Sequence, residues 1–190
     1  MSEEKRVSVV IPIFNEAGNI GRLVEETLAA VPDTLLGEVI VVDDFSSDSG
    51  PAEVLDIRKR DKRVRLVRHL ENAGQSASVR SGVSAARFDL IATLDGDGQH
   101  DPHDLPAMIG RIAPAGDNSR LALIGGVRQK RKDTGSKRWA SKAANRIRDW
   151  VLHDDCPDTG CGIKVVKSNL WVQMVCSGRY FQSNGSGIHI

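Results

Sequence analysis

Carboxylate and amide side chains alternate with glycines in the segment Asp-Gly-Asp-Gly-Gln-His-Asp-Pro, residues 95–102. The oxygen atoms of Asp95, Asp97 and Gln99 are hard ligands of the kind that Mg²⁺ and Mn²⁺ prefer, with the phosphates of a substrate completing the coordination. The glycines between them allow a tight turn and the close approach of a bulky ligand. The sequence therefore predicts a metal-assisted phosphate or diphosphate site.

The motif at residues 95–102 has two interpretations other than a metal site. A calcium loop of the EF-hand type needs glycine at its sixth position and glutamate at its twelfth, but counting from Asp95 these positions hold His100 and Pro106. The apolar run before the motif also predicts a buried strand, whereas an EF-hand loop follows a helix. A solvated acidic turn is the alternative that the motif alone leaves open.

Strand patterns and helix patterns alternate along the chain. Apolar, β-branched runs predict strands, and apolar residues spaced three and four apart, as Ile20, Leu23 and Val24 are, predict helices. The predicted strands cover 7–13, 38–43, 64–68, 90–94, 121–125 and 162–166, and the predicted helices cover 20–28, 51–59, 75–87, 103–112 and 136–152. This alternation predicts an α/β fold with a mostly parallel sheet and helices on both faces.

Polar clusters follow four of the predicted strands: Asn15-Glu16, Asp43-Asp44, Asn72 and the pair Asp95/Asp97. In sheets of this kind, ligands bind beyond the carboxyl ends of the strands, so we expect one shared ligand site there. The sequence contains neither the GxGxxG fingerprint of dinucleotide-binding folds nor a P-loop. Phosphate charge must therefore be met by a metal ion and by basic residues rather than by a glycine cradle.

The composition predicts one globular domain. The chain has 190 residues, of which 40% are hydrophobic and 27% charged, and its net charge is +1. No apolar run approaches the roughly 18 residues of a transmembrane helix, and the N-terminus lacks a signal-peptide pattern. The cysteines Cys156, Cys161 and Cys176 form neither a CxxC pair nor an even set, which argues against a zinc site and a disulfide framework. We expect a cytoplasmic protein.

Taken together, several motifs resemble those of family 2 glycosyltransferases, which have the GT-A fold. The general motifs are Val-Ile-Pro-Ile-Phe-Asn-Glu at 10–16, Val-Val-Asp-Asp-Phe-Ser-Ser-Asp at 41–48, Asn-Ala-Gly-Gln at 72–75 and the acidic motif at 95–102. The Gln-His-Asp-Pro end of that motif, Gly-Val-Arg at 126–128 and Asp-Thr-Gly-Cys-Gly-Ile-Lys at 158–164 are similar to the branch with dolichol-phosphate and polyprenyl-phosphate mannosyltransferases. The resemblance covers residues 7 to 170.

The resemblance implies a role for each matching residue on the donor side. The residues implied to bind the nucleotide sugar are Pro12, Phe14, Glu16, Asp43, Asp44, Asn72 and Asp95, with Asp43 in a supporting position. Asp95, Asp97 and Gln99 are implied to hold Mg²⁺ or Mn²⁺, which neutralises charge on the departing nucleoside diphosphate. Asp97 is thereby also implied to be catalytic.

The resemblance implies that a basic segment of the chain binds the acceptor. Nine Lys and Arg residues lie between Arg128 and Arg148, and a solvated helix face or a nucleic-acid patch is the plain alternative for such a run. Aromatic residues are nearly absent from it, so we expect no nucleic-acid partner. The resemblance implies that Arg128 and Arg138 clamp the phosphate of a lipid carrier, and that Asp158 is an acceptor-side catalytic carboxylate or, alternatively, a structural loop residue.

The implied activity is inverting transfer of a sugar, mannose or glucose, from GDP-mannose or a UDP-sugar to a polyprenyl or dolichyl phosphate at the inner face of the membrane. A family 2 enzyme with another cell-envelope acceptor and a non-catalytic nucleotide-sugar-binding protein are the alternatives. Residues 1–171 are expected to form a GT-A domain that is C-terminally shortened, and the polar segment 172–190 is expected to be disordered. The sequence predicts no oligomeric state.

Overall fold

The computed structural model describes residues 6–112, 123–126 and 162–171 as one mixed sheet with helices on both faces. The strands are Val7–Ile13 (β1), Leu36–Asp43 (β2), Val64–Arg68 (β3), Leu90–Thr93 (β4), Leu123–Gly125 (β5) and Lys164–Lys167 (β6). The helices are Ile20–Ala30 (α1), Gly50–Arg60 (α2), Gln75–Ala85 (α3) and Leu105–Ile112 (α4), with a 3₁₀ turn at Pro102–Asp104. The predicted α/β class is confirmed.

The sheet has the strand order β3-β2-β1-β4-β6-β5. The pairs β1–β2, β2–β3 and β1–β4 are parallel, whereas β6 pairs antiparallel with both β4 and β5. Every residue of β1 is buried, as its run of β-branched side chains predicts for a strand covered on both faces. The carboxyl ends of β1 to β4 therefore meet at one edge of the sheet, which we call the rim.

Two apolar cores cover the two faces of the sheet. On one face α1, α2 and α4 pack through residues such as Ile20, Val54 and Ile109 against the side chains of β1 and β2. On the other face α3 packs through Val79 and Val83 against Val10 and its neighbours. The helices cover the two faces of the sheet, and the carboxyl ends of β1 to β4 at the rim are left uncovered.

Several predicted boundaries were wrong by a few residues. The predicted helix 103–112 begins at Leu105, because Pro102 and the side chain of Asp101, which accepts a hydrogen bond from the His103 N–H, fix a 3₁₀ turn first. Helix α3 ends at Ala85 rather than at residue 87, because Ala86 takes an extended conformation. Strand β6 begins at Lys164, two residues after the predicted start.

Some of the predicted features lie outside the described residues. They are the basic helix 136–152, the segment 172–190 and the first two residues of the predicted strand 121–125. Among the described residues, no helix is long and apolar enough to cross a membrane.

Helix α3 lies so close to the sheet that a side chain at Gly82 would collide with it. A Cβ atom there would overlap Val10 and would lie 3.1 Å from Cγ2 of Val42. We therefore expect Gly82→Ala to lower the free energy of unfolding by about 1–3 kcal/mol, the usual cost of overpacking. Gly110→Ala in α4 is the matched control, since nothing lies within 4 Å of a Cβ at Gly110. That variant should gain up to about 1 kcal/mol of helix propensity, and chemical denaturation of both variants would show whether the signs are opposite.

Candidate active site

A groove of about 310 Å³ lies at the rim. Its walls come from the end of β1, from the segments that follow β1, β2 and β4, and from the first turns of α3. We call it the rim groove. It is lined by Pro12, Ile13, Phe14, Glu16, Asp44, Gln75, Ser78, Asp95, Gly96 and Asp97. The structure thus brings together side chains that the sequence places more than eighty residues apart.

The loops after β1 and β2 are fastened to each other. The Asn15 N–H donates to Oγ of Ser46 over 2.9 Å, and the Ser47 N–H donates to Oδ1 of Asn15 over 2.9 Å. Asn15 and Phe45 both have positive φ angles, 56° and 69°. Asparagine tolerates this left-handed conformation, but for phenylalanine it is strained. The hydrogen bonds across the two loops hold Phe45 in that conformation, with 55% of the residue exposed.

Replacing Phe45 by glycine should remove the backbone strain of its left-handed conformation. We expect Phe45→Gly to raise the free energy of unfolding by about 1 kcal/mol, because the relief of the left-handed conformation exceeds the entropy cost of a new glycine. Phe45→Ala removes the same ring but keeps a Cβ atom, so it should give no such gain. A thermal or chemical denaturation series on the two variants and the parent chain separates the backbone effect from the loss of the ring.

Asp44 is a carboxylate of the rim groove that is held by three hydrogen bonds. Its Oδ1 accepts hydrogen bonds from the Ala73 N–H at 2.9 Å and from Nδ1 of His69 at 2.7 Å, and its Oδ2 accepts one from the Gly74 N–H at 2.7 Å. Burial acts to raise the pKa of Asp44, but the hydrogen bonds from Ala73, His69 and Gly74 outweigh burial and hold the pKa below its ordinary value. Asp44 is therefore ionised at neutral pH and serves as an acceptor only.

Asp43 and Asn72 support this arrangement without lining the rim groove. Asp43 is fully buried, and its carboxylate accepts from the Ser46 N–H at 2.9 Å and from Nε of Arg68 at 2.8 Å. The side chain of Asn72 donates to the backbone carbonyl of Asp44 at 3.2 Å. Both residues thus shape the surroundings of Asp44.

The acidic motif follows β4 and forms the other wall of the rim groove. Oδ1 of Asp95 accepts from Nε2 of Gln75 at 2.9 Å, and its Oδ2 lies 3.3 Å from Nε2 of His100. Oδ1 of Asp97 accepts from the Gln99 N–H at 3.0 Å. Asp97 is exposed and lines the groove, whereas the exposed side chain of Gln99 does not line it. The structure therefore brings two of the three predicted metal ligands to the groove wall.

The segment before β6 packs directly against this motif. The Gly162 carbonyl accepts from Oγ1 of Thr93 at 2.9 Å, and the Gly162 N–H donates to Nε2 of His100 at 3.2 Å. A Cβ atom at Gly162 would overlap the carboxylate of Asp95. Glycine is thus required for this close approach, which fixes the end of the 158–164 motif beside the acidic motif.

The comparison with protein-family models shows which family the chain belongs to. The family model described as glycosyl transferase family 2 matches residues 8–168. This chain belongs to glycosyl transferase family 2. The matched range contains the rim groove and every wall residue that the structure describes.

Two curated bacterial relatives are similar over most of the chain. A dodecaprenyl-phosphate galacturonate synthase of Rhizobium johnstonii is 37% identical over 182 residues, which are 90% of this chain and 51% of that protein. An undecaprenyl-phosphate 4-deoxy-4-formamido-L-arabinose transferase of an Enterobacter species is 32% identical over 169 residues, 87% of this chain and 50% of that protein. This family 2 chain spans about half the length of the curated relatives that it matches.

Solved structures of glycosyltransferases share the fold. A mannosyltransferase of Pyrobaculum calidifontis in complex with GDP-Man and Mn²⁺ aligns with a TM-score of 0.66 at 20% identity, covering 91% of this chain and 47% of that chain. Glucosyl-3-phosphoglycerate synthase of Mycobacterium tuberculosis with Mn²⁺, UDP-Glc and phosphoglyceric acid aligns with a TM-score of 0.68 at 19% identity, covering 87% and 57%. The GT-A fold expected for this family 2 chain is confirmed.

The donor set of the rim groove fits a divalent ion that is shared with a substrate. Within residues 6–112, 123–126 and 162–171, no group of three or more His, Cys, Asp or Glu side chains is arranged to hold a metal ion. Mg²⁺ is commonly bound by one or two carboxylates together with substrate phosphates, and the groove offers Asp95 and Asp97 for this. Oδ2 of Asp97 accepts no hydrogen bond from the described residues, so it is available as a ligand.

Some residues of the site had no role in the sequence prediction, and others lie outside the described part of the chain. Gln75 and Ser78 line the groove, and His69 contacts Asp44. Gln75 belongs to the Asn-Ala-Gly-Gln motif, so the sequence could have indicated that it lies at the site. Nothing in the spacing of the sequence indicates that His69 does. The predicted acceptor residues Arg128, Arg138 and Asp158 lie outside the described residues.

Proposed function

We propose that this family 2 chain binds a nucleotide sugar in the rim groove and transfers the sugar, with inversion, to a polyprenyl phosphate. The observation that carries the donor half is the convergence of Phe14, Asp44, Asp95 and Asp97 on one groove. Phe14 is half exposed and offers an aromatic face to a base. Asp44 offers an acceptor for the N–H of a base, and Asp95 and Asp97 offer carboxylates at the far wall.

The diphosphate of the donor would lie beside the acidic motif. Asp95 and Asp97, with Gln99 on the adjoining turn, are proposed to hold Mg²⁺ or Mn²⁺ there. The ion, when bound, supplies charge neutralisation for the departing nucleoside diphosphate. Gln75 keeps the carboxylate of Asp95 oriented by donating to its Oδ1 at 2.9 Å. In the proposed arrangement the base would lie against Phe14 and Asp44, and the diphosphate would lie against the acidic motif.

The acceptor half rests on the relatives and on residues beyond the described ones. Dodecaprenyl and undecaprenyl phosphate occur in the names of the two curated relatives, which supports a polyprenyl phosphate as acceptor. A phosphate oxygen of the acceptor would attack the anomeric carbon, the bond from that carbon to the β-phosphate oxygen would break, and the nucleoside diphosphate would leave. Arg128 and Arg138 are proposed to bind the acceptor phosphate, and Asp158 is proposed to lie at the acceptor side.

The same comparison bears on the sugar and supports a place of action at a membrane. The relatives' names specify galacturonate and 4-deoxy-4-formamido-L-arabinose, so these sugars stand beside the mannose or glucose that the sequence suggested. A lipid-linked acceptor requires the protein to act at a membrane surface, and we propose peripheral association with its inner face. The basic residues between Arg128 and Arg148 would favour an anionic surface.

A transfer assay tests the proposal. The chain is incubated with undecaprenyl phosphate, Mn²⁺ and, in turn, radiolabelled GDP-mannose, UDP-glucose or UDP-galacturonate, and the label in the lipid phase is counted. We expect label from one donor, dependent on Mn²⁺ or Mg²⁺, and none with undecaprenol, which lacks the phosphate. Equal labelling of undecaprenol would overturn the phosphate acceptor, and donor binding without transfer from any donor would overturn the enzyme assignment for this chain.

A further inference from the structure

His100 lies between the acidic motif and the segment before β6. Its side chain is only 7% exposed, and its Nε2 lies 3.3 Å from Oδ2 of Asp95 and 3.2 Å from the backbone nitrogen of Gly162. Because a backbone N–H can only donate, Nε2 accepts from Gly162 and the ring carries its proton on Nδ1. Nε2 then has no proton to donate to Asp95. The hydrogen bond at Nε2 therefore holds Gly162 rather than the carboxylate.

Asp95 has a hydrogen-bond donor other than His100. Nε2 of Gln75, at the start of α3, donates to Oδ1 of Asp95 at 2.9 Å. This hydrogen bond does not involve the imidazole ring, so it stays in place when His100 is replaced. We therefore expect the wall of the rim groove that carries Asp95 and Asp97 to keep its form without the ring.

The backbone of Gly162 and Ile163 connects the two motifs that are proposed to bind the acceptor. The Ile163 carbonyl accepts from the Gly126 N–H at 3.0 Å. Gly126 comes two residues before Arg128, and Gly162 comes four residues after Asp158. A shift of this backbone would therefore move the points at which both acceptor motifs are attached to the sheet.

We infer that His100 is a positioning residue for the lipid-phosphate acceptor, because its hydrogen bond from the Gly162 N–H fixes the acceptor motifs relative to the acidic motif. The inference rests on the proposed function. The acceptor oxygen must meet the anomeric carbon in line with the departing diphosphate, which is proposed to lie beside Asp95, and a misplacement of about 1 Å can lower the rate about a hundredfold. His100 does not line the rim groove. Its role is therefore to place other groups.

Substitutions at His100 and His103 test the inference by steady-state kinetics and calorimetry. His100→Phe keeps a planar ring without an acceptor, and His100→Gln keeps an acceptor oxygen. We expect His100→Phe to lower kcat/KM for undecaprenyl phosphate about ten- to a hundredfold, while the Kd of UDP or GDP with Mn²⁺ is unchanged. His100→Gln should recover most of this loss. His103→Phe is the matched control, because His103 is exposed and does not line the rim groove, and it should match the parent chain.

Hydrogen exchange of the Gly162 amide gives a readout that does not depend on activity. In the chain without nucleotide or metal, we expect this exchange to be about tenfold faster in His100→Phe, because the acceptor of the N–H is lost, and close to the parent rate in His100→Gln. Thr93→Val loosens the same residue from its other side, since Oγ1 of Thr93 donates to the Gly162 carbonyl. It should also lower kcat/KM for the acceptor with donor binding unchanged, and it tests the inference if His100→Phe does not fold.

The outcomes separate the inference from the proposed function. An unchanged kcat/KM for undecaprenyl phosphate in His100→Phe overturns the inference while the proposed function stands. Weaker binding of nucleotide with Mn²⁺ in that variant also overturns it, because His100 would then support Asp95 instead. A parent chain that binds nucleotide without transferring sugar overturns the proposed function, and the inference falls with it.

Discussion

Replacing Asp97 by asparagine is expected to lower sugar transfer about a hundred- to a thousandfold, the range found when one preorganised stabiliser of developing charge is removed. Asp97 is exposed on the groove wall, and its Oδ2 is unused by the described residues. Asparagine keeps the shape and the carbonyl that accepts from the Gln99 N–H, but it removes the negative charge. The fold should therefore be unchanged, while the Mn²⁺ dependence of donor binding is lost in calorimetry.

Asp104→Asn is the matched control for this change. Asp104 lies on the 3₁₀ turn of the same segment, is exposed and does not line the rim groove. It undergoes the same loss of one negative charge, so general electrostatic effects on the donor are matched. If Asp97→Asn transfers sugar as fast as Asp104→Asn, the placement of the diphosphate beside Asp97 is wrong.

Replacing Asp44 by alanine is expected to lower the free energy of unfolding by about 2 kcal/mol at neutral pH and to weaken nucleotide binding at least tenfold. Asp44 is only 3% exposed, and alanine leaves the Ala73 and Gly74 N–H groups and His69 without their acceptor. Donor binding falls because the acceptor for the base is lost and because the loop that leads into α3 loses its anchor. Denaturation and calorimetry on the same preparation measure the two effects.

The stability supplied by Asp44 also depends on pH. Because the pKa of Asp44 in the folded protein lies below its ordinary value of 3.8, the carboxylate stabilises the fold at pH values above 3.8, and this stability is lost as the pH falls through the lower folded value. The difference in unfolding free energy between the parent chain and Asp44→Ala should therefore shrink below about pH 4. A difference that stays constant from pH 7 to pH 3 would show that the charge of Asp44 contributes nothing.

The sequence predicted the elements and the rim because both depend on local patterns. A run of seven buried residues such as β1, of which five are Val or Ile, has few alternatives to a central strand, and alternation with helices makes the neighbouring strands parallel. Parallel strands end at the same edge, which is why Phe14, Asp44 and Asp95 could be expected near one another. Their roles toward a donor stay predictions.

The partners of the site side chains could not be predicted, because they depend on loop conformations. Nothing in the spacing shows that His69 turns back to Asp44, or that Glu53 of α2 accepts hydrogen bonds from the N–H groups of Gly18 and Gly21 at the start of α1. The left-handed conformation of Phe45 could likewise not be predicted, because this conformation is normally occupied by glycine or asparagine. Strand β6 was predicted from its apolar run, but its antiparallel pairing between β4 and β5 had no sequence signal.

A crystal structure of the chain grown with UDP and Mn²⁺ tests the central claim, a nucleotide-sugar site in the rim groove, most directly. We expect the base against Phe14 and within hydrogen-bonding distance of the Asp44 carboxylate, and the diphosphate beside Asp95 and Asp97. UDP bound at a position away from these residues would contradict the account, because the groove would then not be the donor site.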